Sequence, residues 1–148
     1  MSDHLSLDLQ LCFPLYAATR AVTHAYGDLL ADAGLTYPQY LTMLAVWESD
    51  QPLTVGELGA RLRLDSGTLT PLLKRLESAG HVVRRRDPAD ERRVLVEPTR
   101  QGRDLRERVV DVPARLLKAT GLTNRDAREL RRVLGTMLER LDARNRAG

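Results

Sequence analysis

The residue with the most distinctive chemistry is Cys12, the only cysteine in a chain of 148 residues. It lies in the stretch LQLCFPLYAATRAVTHAY, residues 9–26, with Tyr16 four residues and Tyr26 fourteen residues further along. Peroxides oxidise a thiolate to a sulfenic acid, and a phenol hydroxyl stabilises a thiolate by donating a hydrogen bond to it. These residue types could form a redox-sensing site, but a free cysteine among apolar residues is more often a small apolar residue without reactivity, and the residue types alone favour that alternative.

The position of Cys12 in a predicted helix favours the reactive thiol. Residues 11–33 carry apolar side chains at helical spacing, and Pro14 is tolerated only in a first turn, so Cys12 lies at or beside the helix start. The helix dipole favours a thiolate there. Tyr16 lies one turn away, whereas Tyr26 lies about 21 Å along the axis at a rise of about 1.5 Å per residue. Tyr26 can therefore reach only the Cys12 of a second copy whose first helix crosses in the antiparallel sense.

The composition limits the class of protein. Aromatic residues make up only 4% of the chain, which favours a helical core over a β-sandwich. No apolar run approaches the roughly 18 residues of a membrane helix, and the N-terminal MSDHLSLD lacks a signal-peptide pattern. A lone cysteine fits a reducing compartment, so we expect a cytoplasmic protein with no membrane partner. The net charge of +3 is too small to indicate DNA binding by itself.

The predicted elements are four helices, a hairpin and two further helices, in that order. This order predicts a mainly α fold with a small β-hairpin wing, which is a winged helix-turn-helix with six helices in a single chain, 1–148. The predicted strands are 81–86 and 92–96, on either side of the loop DPADE. The first predicted helix spans 11–33, and Thr36 caps the second. The third and fourth span 55–62 and 65–80. The fifth begins after Thr99, has a kink at Pro113 and ends at Gly121, and Thr123 caps the sixth.

Side chains suited to DNA lie on the fourth helix and on the hairpin. Leucines recur at helical spacing within 69–76 and predict one buried face, and the opposite side carries hydroxyls and then cations. Asp90 and Arg92 lie two residues apart on one side of a strand, so Asp90 can brace Arg92 for a narrow minor groove. Either feature alone is more typical of plain core or solvated surface, but their adjacency favours DNA binding. The candidates are Ser66, Thr68, Thr70, Lys74, Arg75, Arg84, Arg86, Asp90 and Arg92.

The sequence resembles the MarR family of dimeric winged-helix regulators. The segment DERRVLVEPT is similar to the family's D-x-R…T stretch, although Pro98 stands where a leucine is usual. The blocks LCFPLYAATRA, GLTYPQYLTML, LDSGTLTPLLKRLE and RRDPADERRVLV resemble the OhrR-like branch, which senses organic hydroperoxides. These blocks cover much of residues 9–100, whereas residues 100–148 match mainly in pattern.

The resemblance implies a homodimeric repressor that binds an inverted-repeat operator in double-stranded DNA and leaves it when Cys12 is oxidised. It implies that 36–98 binds DNA and that 8–34 and 99–148 form the dimerisation helices. It also implies that two tyrosines of the partner subunit hydrogen-bond the reactive thiol, and the matching positions are Tyr26 and Tyr37. Because the chain has one cysteine, the sulfenic acid is expected to react with a low-molecular-weight thiol or to oxidise further. Leucines and Phe13 near Cys12 favour an organic hydroperoxide as the oxidant.

Other functions remain open at the level of sequence. A thiol peroxidase would use Cys12 as its nucleophile, but no resolving cysteine and no peroxiredoxin T-x-x-C motif is present. A MarR-like repressor released by a small aromatic ligand in the dimer crevice would not need Cys12, and an architectural DNA-binding protein would have no switch. His4, His24 and His81 are scattered, so no metal site and no cofactor are predicted.

Overall fold

The computed structural model describes residues 3–147, and the chain divides into two compact units, with the boundary between Val110 and Asp111. The first unit contains five α-helices and three strands in its described part, and the second contains two α-helices. Short 3-10 turns occupy Asp3–Leu5, Leu7–Leu9 and Ala31–Ala33. The elements are α1 (Phe13–Leu30), α2 (Tyr37–Glu48), β1 (Leu53–Thr54), α3 (Val55–Leu62), α4 (Ser66–Ser78), β2 (Val82–Asp87), β3 (Asp90–Pro98), α5 (Arg100–Arg108), α6 (Val112–Thr120) and α7 (Asn124–Ala147).

Polar caps set the starts of α2, α3 and α4. The Thr36 hydroxyl accepts from the Gln39 amide, and the Gln39 side chain accepts in return from the Thr36 amide at 2.9 Å. Thr54 and Glu57 form the same reciprocal pair at the start of α3. The Asp65 carboxylate accepts from the Thr68 amide at 2.7 Å and starts α4. These caps satisfy amides that have no partner within the helix, which is why the helices begin there.

The core of the first unit lies between α2, α3, α4 and the sheet. Leu69, Leu73 and Leu76 of α4 are fully buried, as their spacing predicts, and Leu72 is half-buried. Leu58 of α3 and Val82 and Val96 of the sheet complete this apolar interior. The indole Nε1 of Trp47 in α2 donates to the carbonyl of Gly102 in α5 at 2.9 Å, which joins two elements 55 residues apart in sequence.

The wing is a three-stranded antiparallel sheet in the order β1-β3-β2. The sequence predicted the pair β2 and β3 but not β1, because β1 has only two residues and pairs with Val96 and Leu95 of β3. The strand β3 is longer than predicted, whereas β2 has the predicted length and is shifted by one residue. The connection is a turn of two residues, Pro88 and Ala89, rather than the five of DPADE. The Asp87 carboxylate accepts from the Ala89 amide at 2.9 Å and closes this turn.

The predicted kink at Pro113 is a break between two helices, α5 and α6. Pro113 lies in the first turn of α6, where a residue without an amide donor is tolerated and where the preceding chain is disfavoured from continuing a helix. Because the predicted fifth helix is divided into α5 and α6, the described residues contain seven α-helices where the sequence predicts six. Gly121 ends α6 with a positive φ of 70°, as expected for a helix stop. Thr123 then pairs with Asp126 and starts α7.

Among residues 3–147, no helix combines the length and the apolar character that crossing a membrane requires. The same range contains no group of three or more His, Cys, Asp or Glu side chains arranged to hold a metal ion.

Candidate redox site and DNA-binding surface

Cys12 is the exposed N-cap residue of α1. Its carbonyl accepts from the Tyr16 amide at 3.0 Å, which closes the first turn, and Pro14 lies within that turn. The thiol has no hydrogen-bond partner within the described part of the chain. Apolar side chains lie exposed on both sides of it in sequence, including Leu11 and Phe13. The thiol therefore lies exposed at the N-terminus of α1, with the exposed apolar side chains of Leu11 and Phe13 next to it in sequence.

Tyr26 and Tyr37 form a stacked pair between α1 and α2. Their ring centroids are 4.0 Å apart and their planes differ by 7°. Tyr40, which is one turn after Tyr37 on α2, lies 5.6 Å from Tyr26 and is only 2% exposed. The structure thus brings together the two tyrosines singled out from the sequence and adds a third. Its signal in the sequence was the i+3 spacing from Tyr37, which places both rings on one face of α2.

The cluster keeps its phenols protonated. Burial, together with the neighbouring Tyr37 and Tyr40, raises the pKa of Tyr26 to about 12. Burial also raises the pKa of Tyr37, although its hydrogen bond with Tyr26 acts in the opposite direction. The pKa of Tyr40 is raised by burial and by Tyr37. Near neutral pH these hydroxyls are therefore donors, which is the form that stabilises a thiolate.

Tyr16 stands apart from this cluster. Its side chain is exposed, and the guanidinium of Arg20 lies 5.9 Å from the centre of its ring. Along α1, Tyr26 is fourteen residues from Cys12, which corresponds to about 21 Å at the helical rise. Within one chain the thiol and the stacked tyrosines are therefore separate, and a site that contains both requires two chains.

The fourth helix exposes most of the side chains expected to face DNA. Ser66 and Thr68 lie exposed in its first turn, and Thr70 is half-buried. Lys74 and Arg75 are exposed further along, on the side away from the buried leucines. Hydroxyls near a helix N-terminus and cations beyond them suit base edges and phosphates. The turn between α3 and α4 contains Arg63, which has a left-handed φ of 56°, a feature that the sequence did not indicate.

At the tip of the wing, Asp90 holds Arg92. The Asp90 carboxylate accepts from the Arg92 guanidinium at 3.2 Å and from the Arg92 amide at 3.1 Å. These bonds hold the pKa of Asp90 below its usual value. The Arg92 side chain is 92% exposed, so its guanidinium is braced at one edge and open to solvent elsewhere. This arrangement matches the geometry expected from the spacing of the two residues.

The other wing arginines have different surroundings. The Arg84 guanidinium donates to Glu77 of α4 at 3.1 Å, and its side chain is only 22% exposed. Arg84 therefore fixes β2 against the end of α4, a contact that the sequence did not indicate. Arg86 is exposed, and its guanidinium donates to the Glu91 carbonyl at 2.6 Å. Both arginines thus orient the hairpin through contacts within the protein.

A family model described as "Transcriptional regulator SarA/Rot" matches residues 25–109, more than half of the chain and all of the helix-turn-helix and wing. The chain belongs to this family of MarR-type winged-helix regulators. The predicted fold class is confirmed by this match and by the structure. The matched residues begin just before Tyr26 and end one residue after α5, so they include the tyrosine cluster, α4 and the wing.

Two relatives are similar to this chain over nearly its whole length. The organic hydroperoxide resistance transcriptional regulator of Bacillus subtilis is 46% identical over 97% of both chains. The HTH-type transcriptional regulator TtmR of Methylorubrum extorquens is 51% identical over 96% of this chain and 72% of its own length. Both are named transcriptional regulators, which confirms the prediction of a regulator and gives the peroxidase alternative no support.

A solved structure of a relative shows the same fold with DNA present. The structure of reduced AbfR bound to DNA, a protein of Staphylococcus epidermidis, has a TM-score of 0.77 and 34% identity. It covers 94% of this chain and 96% of the AbfR chain. This SarA/Rot-family chain therefore has the architecture of a protein that has been solved bound to DNA.

Proposed function

We propose that the protein is a homodimeric repressor that leaves its operator when an organic hydroperoxide oxidises Cys12. The observation that carries this proposal is the presence, in one chain, of an exposed thiol at a helix N-cap and of a separate cluster of protonated tyrosines. Both occur in a chain similar to the organic hydroperoxide resistance regulator of Bacillus subtilis along nearly its whole length. The proposal includes action on DNA in the cytoplasm.

The reactive site is proposed to form between two subunits. Tyr26 and Tyr37 of one subunit donate hydrogen bonds to the Cys12 thiolate of the other, because the helical distance excludes this contact within one chain. In this proposal 8–34 and 99–148 provide the dimer contacts. Support comes from large apolar side chains that are exposed in a single chain, at the N-terminus and, separately, on α7. They are Leu5, Leu7, Leu9, Leu11, Leu130, Val133, Leu138 and Leu141.

The proposed chemistry is a two-electron oxidation of one sulfur atom. The thiolate attacks the terminal oxygen of the hydroperoxide, the O–O bond breaks, and a proton from solvent leaves with the alkoxide as an alcohol. Cys12 becomes a sulfenic acid. A low-molecular-weight thiol then condenses with it to a mixed disulfide and releases water. The apolar side chains near Cys12 favour an organic oxidant over hydrogen peroxide.

Release from DNA follows from the loss of the tyrosine contacts. A sulfenic acid or mixed disulfide no longer offers the anionic acceptor that Tyr26 and Tyr37 bind, and it is larger than the thiolate. Because Tyr37 begins α2, displacement of the pair moves the first helix of the DNA-binding region, 36–98. The two α4 helices of the dimer then lose the spacing that fits successive major grooves. Full release requires a difference of about 5 kcal/mol between the two redox states.

On DNA, we propose that α4 enters the major groove and that the wing reaches the minor groove. Ser66, Thr68 and Thr70 approach base edges or phosphates, and Lys74 and Arg75 bind phosphates. Arg92, braced by Asp90, enters the minor groove, and Arg86 lies beside it. Arg84 acts on DNA mainly by holding the wing to α4. A homodimer presents these elements twice, so its operator is an inverted repeat.

An operator titration with and without cumene hydroperoxide tests this function. The wild-type protein is expected to lose affinity on oxidation, and Cys12→Ser is expected to bind the operator with near wild-type affinity and to remain bound. Hydrogen peroxide at the same concentration is expected to act more slowly. A Cys12→Ser protein that still dissociates on addition of a small aromatic compound, with a wild type that ignores hydroperoxide, would show ligand gating instead. Sustained peroxide consumption with a thiol reductant would show an enzyme.

A further inference from the structure

The tip of the wing contains a bulge, residues 91–93 of β3, that lies outside the strand pairing of the described sheet. The register of β2 on β3 is regular up to the pair Arg86 and Val94, and the next pair is Asp87 and Asp90. The strand β1 pairs with β3 only beyond Val94. The bulge includes Arg92, the arginine expected to enter the minor groove. Its orientation therefore depends on side-chain contacts rather than on a ladder of backbone hydrogen bonds.

Two contacts within the hairpin hold the shape of the bulge. The Arg86 guanidinium donates to the Glu91 carbonyl at 2.6 Å, and the Asp90 carboxylate accepts from the Arg92 amide and guanidinium. All four residues belong to β2 or β3. These contacts fix the bulge within the wing, but they do not fix the wing relative to the helices.

Arg93 joins the bulge to α3. One guanidinium nitrogen, Nη2, lies 3.9 Å from Oε1 of Glu57, and the other, Nη1, lies 3.5 Å from Oδ2 of Asp87. The second carboxylate oxygen of Glu57 accepts from the Thr54 amide at 2.8 Å, so one side chain caps α3 and faces the wing. The contacts with Thr54, and to a smaller extent Arg93, lower the pKa of Glu57, so this carboxylate is charged near pH 7.

The helices α3 and α4 are packed closely against each other. A Cβ atom at Gly59 in α3 would lie only 2.8 Å from the carbonyl oxygen of Leu64, which is in the turn between the two helices. Leu58 of α3 and Leu69 of α4 are both completely buried. Because the close packing fixes α3 against α4, a contact between the bulge and α3 also sets the distance from the bulge to α4.

We propose that Arg93 is a positioning residue for DNA binding, which ties the bulge to α3 and thereby sets the distance between Arg92 and α4. Orienting Arg92 before DNA arrives lowers the entropy that binding must remove. Glu57 is then expected to strengthen operator binding, although a carboxylate by itself repels phosphate. The inference rests on the proposed binding of α4 and the wing to DNA, and it does not depend on oxidation of Cys12.

Fluorescence anisotropy with the full-length, reduced protein tests the proposal. The probe is a labelled duplex that the wild-type protein selects from a random-sequence library, and an unselected duplex of equal length measures non-specific binding. Glu57→Gln is expected to weaken binding of the selected duplex about three- to fivefold, the size that an exposed ion pair supports. Non-specific binding should stay unchanged or become slightly tighter, because a negative charge is removed. Glutamine also completes a capping box, so α3 keeps its cap.

A matched control and two double variants separate positioning from direct contact with phosphate. Glu107→Gln removes the same charge from an exposed position of α5 and is expected to leave binding of the selected duplex unchanged. Arg93→Gln is expected to weaken this binding, and the double variant with Glu57→Gln is expected to bind like Arg93→Gln alone, since both substitutions break one ion pair. In an Arg92→Ala background, Glu57→Gln and Arg93→Gln are each expected to have little further effect.

Several results would overturn the proposal. They are a Glu57→Gln protein that binds the selected duplex at least as tightly as wild type, effects that multiply in the double variant with Arg93→Gln, and a full effect of Arg93→Gln in the absence of the Arg92 side chain. Wild-type affinity in Arg92→Ala would overturn it together with the proposed role of the wing, whereas the other results would leave that role intact.

Discussion

The rings of Tyr26 and Tyr37 lie nearly parallel at a centroid distance of 4.0 Å, and this contact joins the second half of α1 to the first residue of α2. Because α1 also carries Cys12 at its N-cap, one helix connects the proposed site of oxidation to the start of the DNA-binding region. The stack therefore serves two purposes in the proposed mechanism. It presents two phenol donors, and it couples α1 to α2.

Removing the hydroxyl of Tyr26 or of Tyr37 is expected to slow the oxidation of Cys12. In Tyr26→Phe and Tyr37→Phe the stack can persist, but a hydrogen bond to the charged sulfur is lost. Such bonds contribute about 1.5–3 kcal/mol, so the rate of oxidation by cumene hydroperoxide near neutral pH should fall roughly tenfold or more relative to wild type. A time course of Cys12 oxidation measures this rate. Tyr16→Phe is expected to have a smaller effect, because Tyr16 lies outside the cluster. Unchanged oxidation rates in both Tyr26→Phe and Tyr37→Phe would contradict the proposed site.

The tyrosine cluster predicts a loss of stability in alkaline solution. The pKa of Tyr26 is about 12 in the fold and about 10 in an unfolded chain, so the folded state retains a proton that the unfolded state releases. The stability from Tyr26 is therefore complete below pH of about 10 and disappears as the pH rises towards 12. Urea denaturation across this range should show a smaller decrease for Tyr26→Phe than for wild type. Parallel curves for the two proteins would mean that the phenol of Tyr26 is not protected by the fold.

Substitutions in the wing are expected to lower the affinity for the operator by different amounts. Arg92→Ala should weaken binding by about 1–3 kcal/mol if its guanidinium reads the minor groove, and it should reduce the salt dependence. Asp90→Ala leaves the arginine in place without its brace, so a smaller loss is expected. Arg132→Ala removes an arginine that pairs with Glu129 on α7 and should leave affinity nearly unchanged. Fluorescence anisotropy with a labelled operator at two salt concentrations measures all three. Equal affinities of the Arg92 and Arg132 variants would exclude Arg92 from the interface.

Two glycine substitutions are expected to change stability in opposite directions. A Cβ atom at Gly102 would meet the His81 carbonyl oxygen and its carbon, the latter at only 2.9 Å, so Gly102→Ala must push α5 away from the base of the wing. We expect a loss of about 3 kcal/mol in the free energy of unfolding. At Gly56, in α3, the nearest atom is the Thr54 hydroxyl at 3.9 Å, so Gly56→Ala should stabilise the helix by up to about 1 kcal/mol. Denaturant titrations measure both values, and a neutral Gly102→Ala would show that α5 and the wing base are not closely packed in solution.

Local chemistry explains what could be predicted from the sequence. Thr36 and Thr54 cap their helices through side chains three residues away, so the starts of α2 and α3 are encoded within a few residues. The strand β1 could not be predicted, because its two residues become a strand only through pairing with Val96 and Leu95, about forty residues later. The contact between Arg84 and Glu77 was missed for the same reason, since it depends on the fold of the hairpin against α4.

In the redox site, too, some features follow from local sequence and others depend on how the helices pack. The spacing of Cys12 and Pro14 was sufficient to place the thiol at the start of α1. The participation of Tyr40 was not predicted, because its contact with Tyr26 depends on how α1 and α2 pack. The sequence also did not predict that the buried Nδ1 of His81 lacks a hydrogen-bond partner.

Trp47 is the only tryptophan in the chain, and its indole donates a hydrogen bond to the carbonyl of Gly102. Indole emission responds to such a bond and to the polarity around the ring, so the protein carries a natural optical reporter at the joint between α2 and α5. If oxidation of Cys12 displaces α2, the fluorescence of the unlabelled protein should change at the rate of that displacement. Stopped-flow mixing with hydroperoxide can then follow the conformational step directly and separate it from dissociation of DNA.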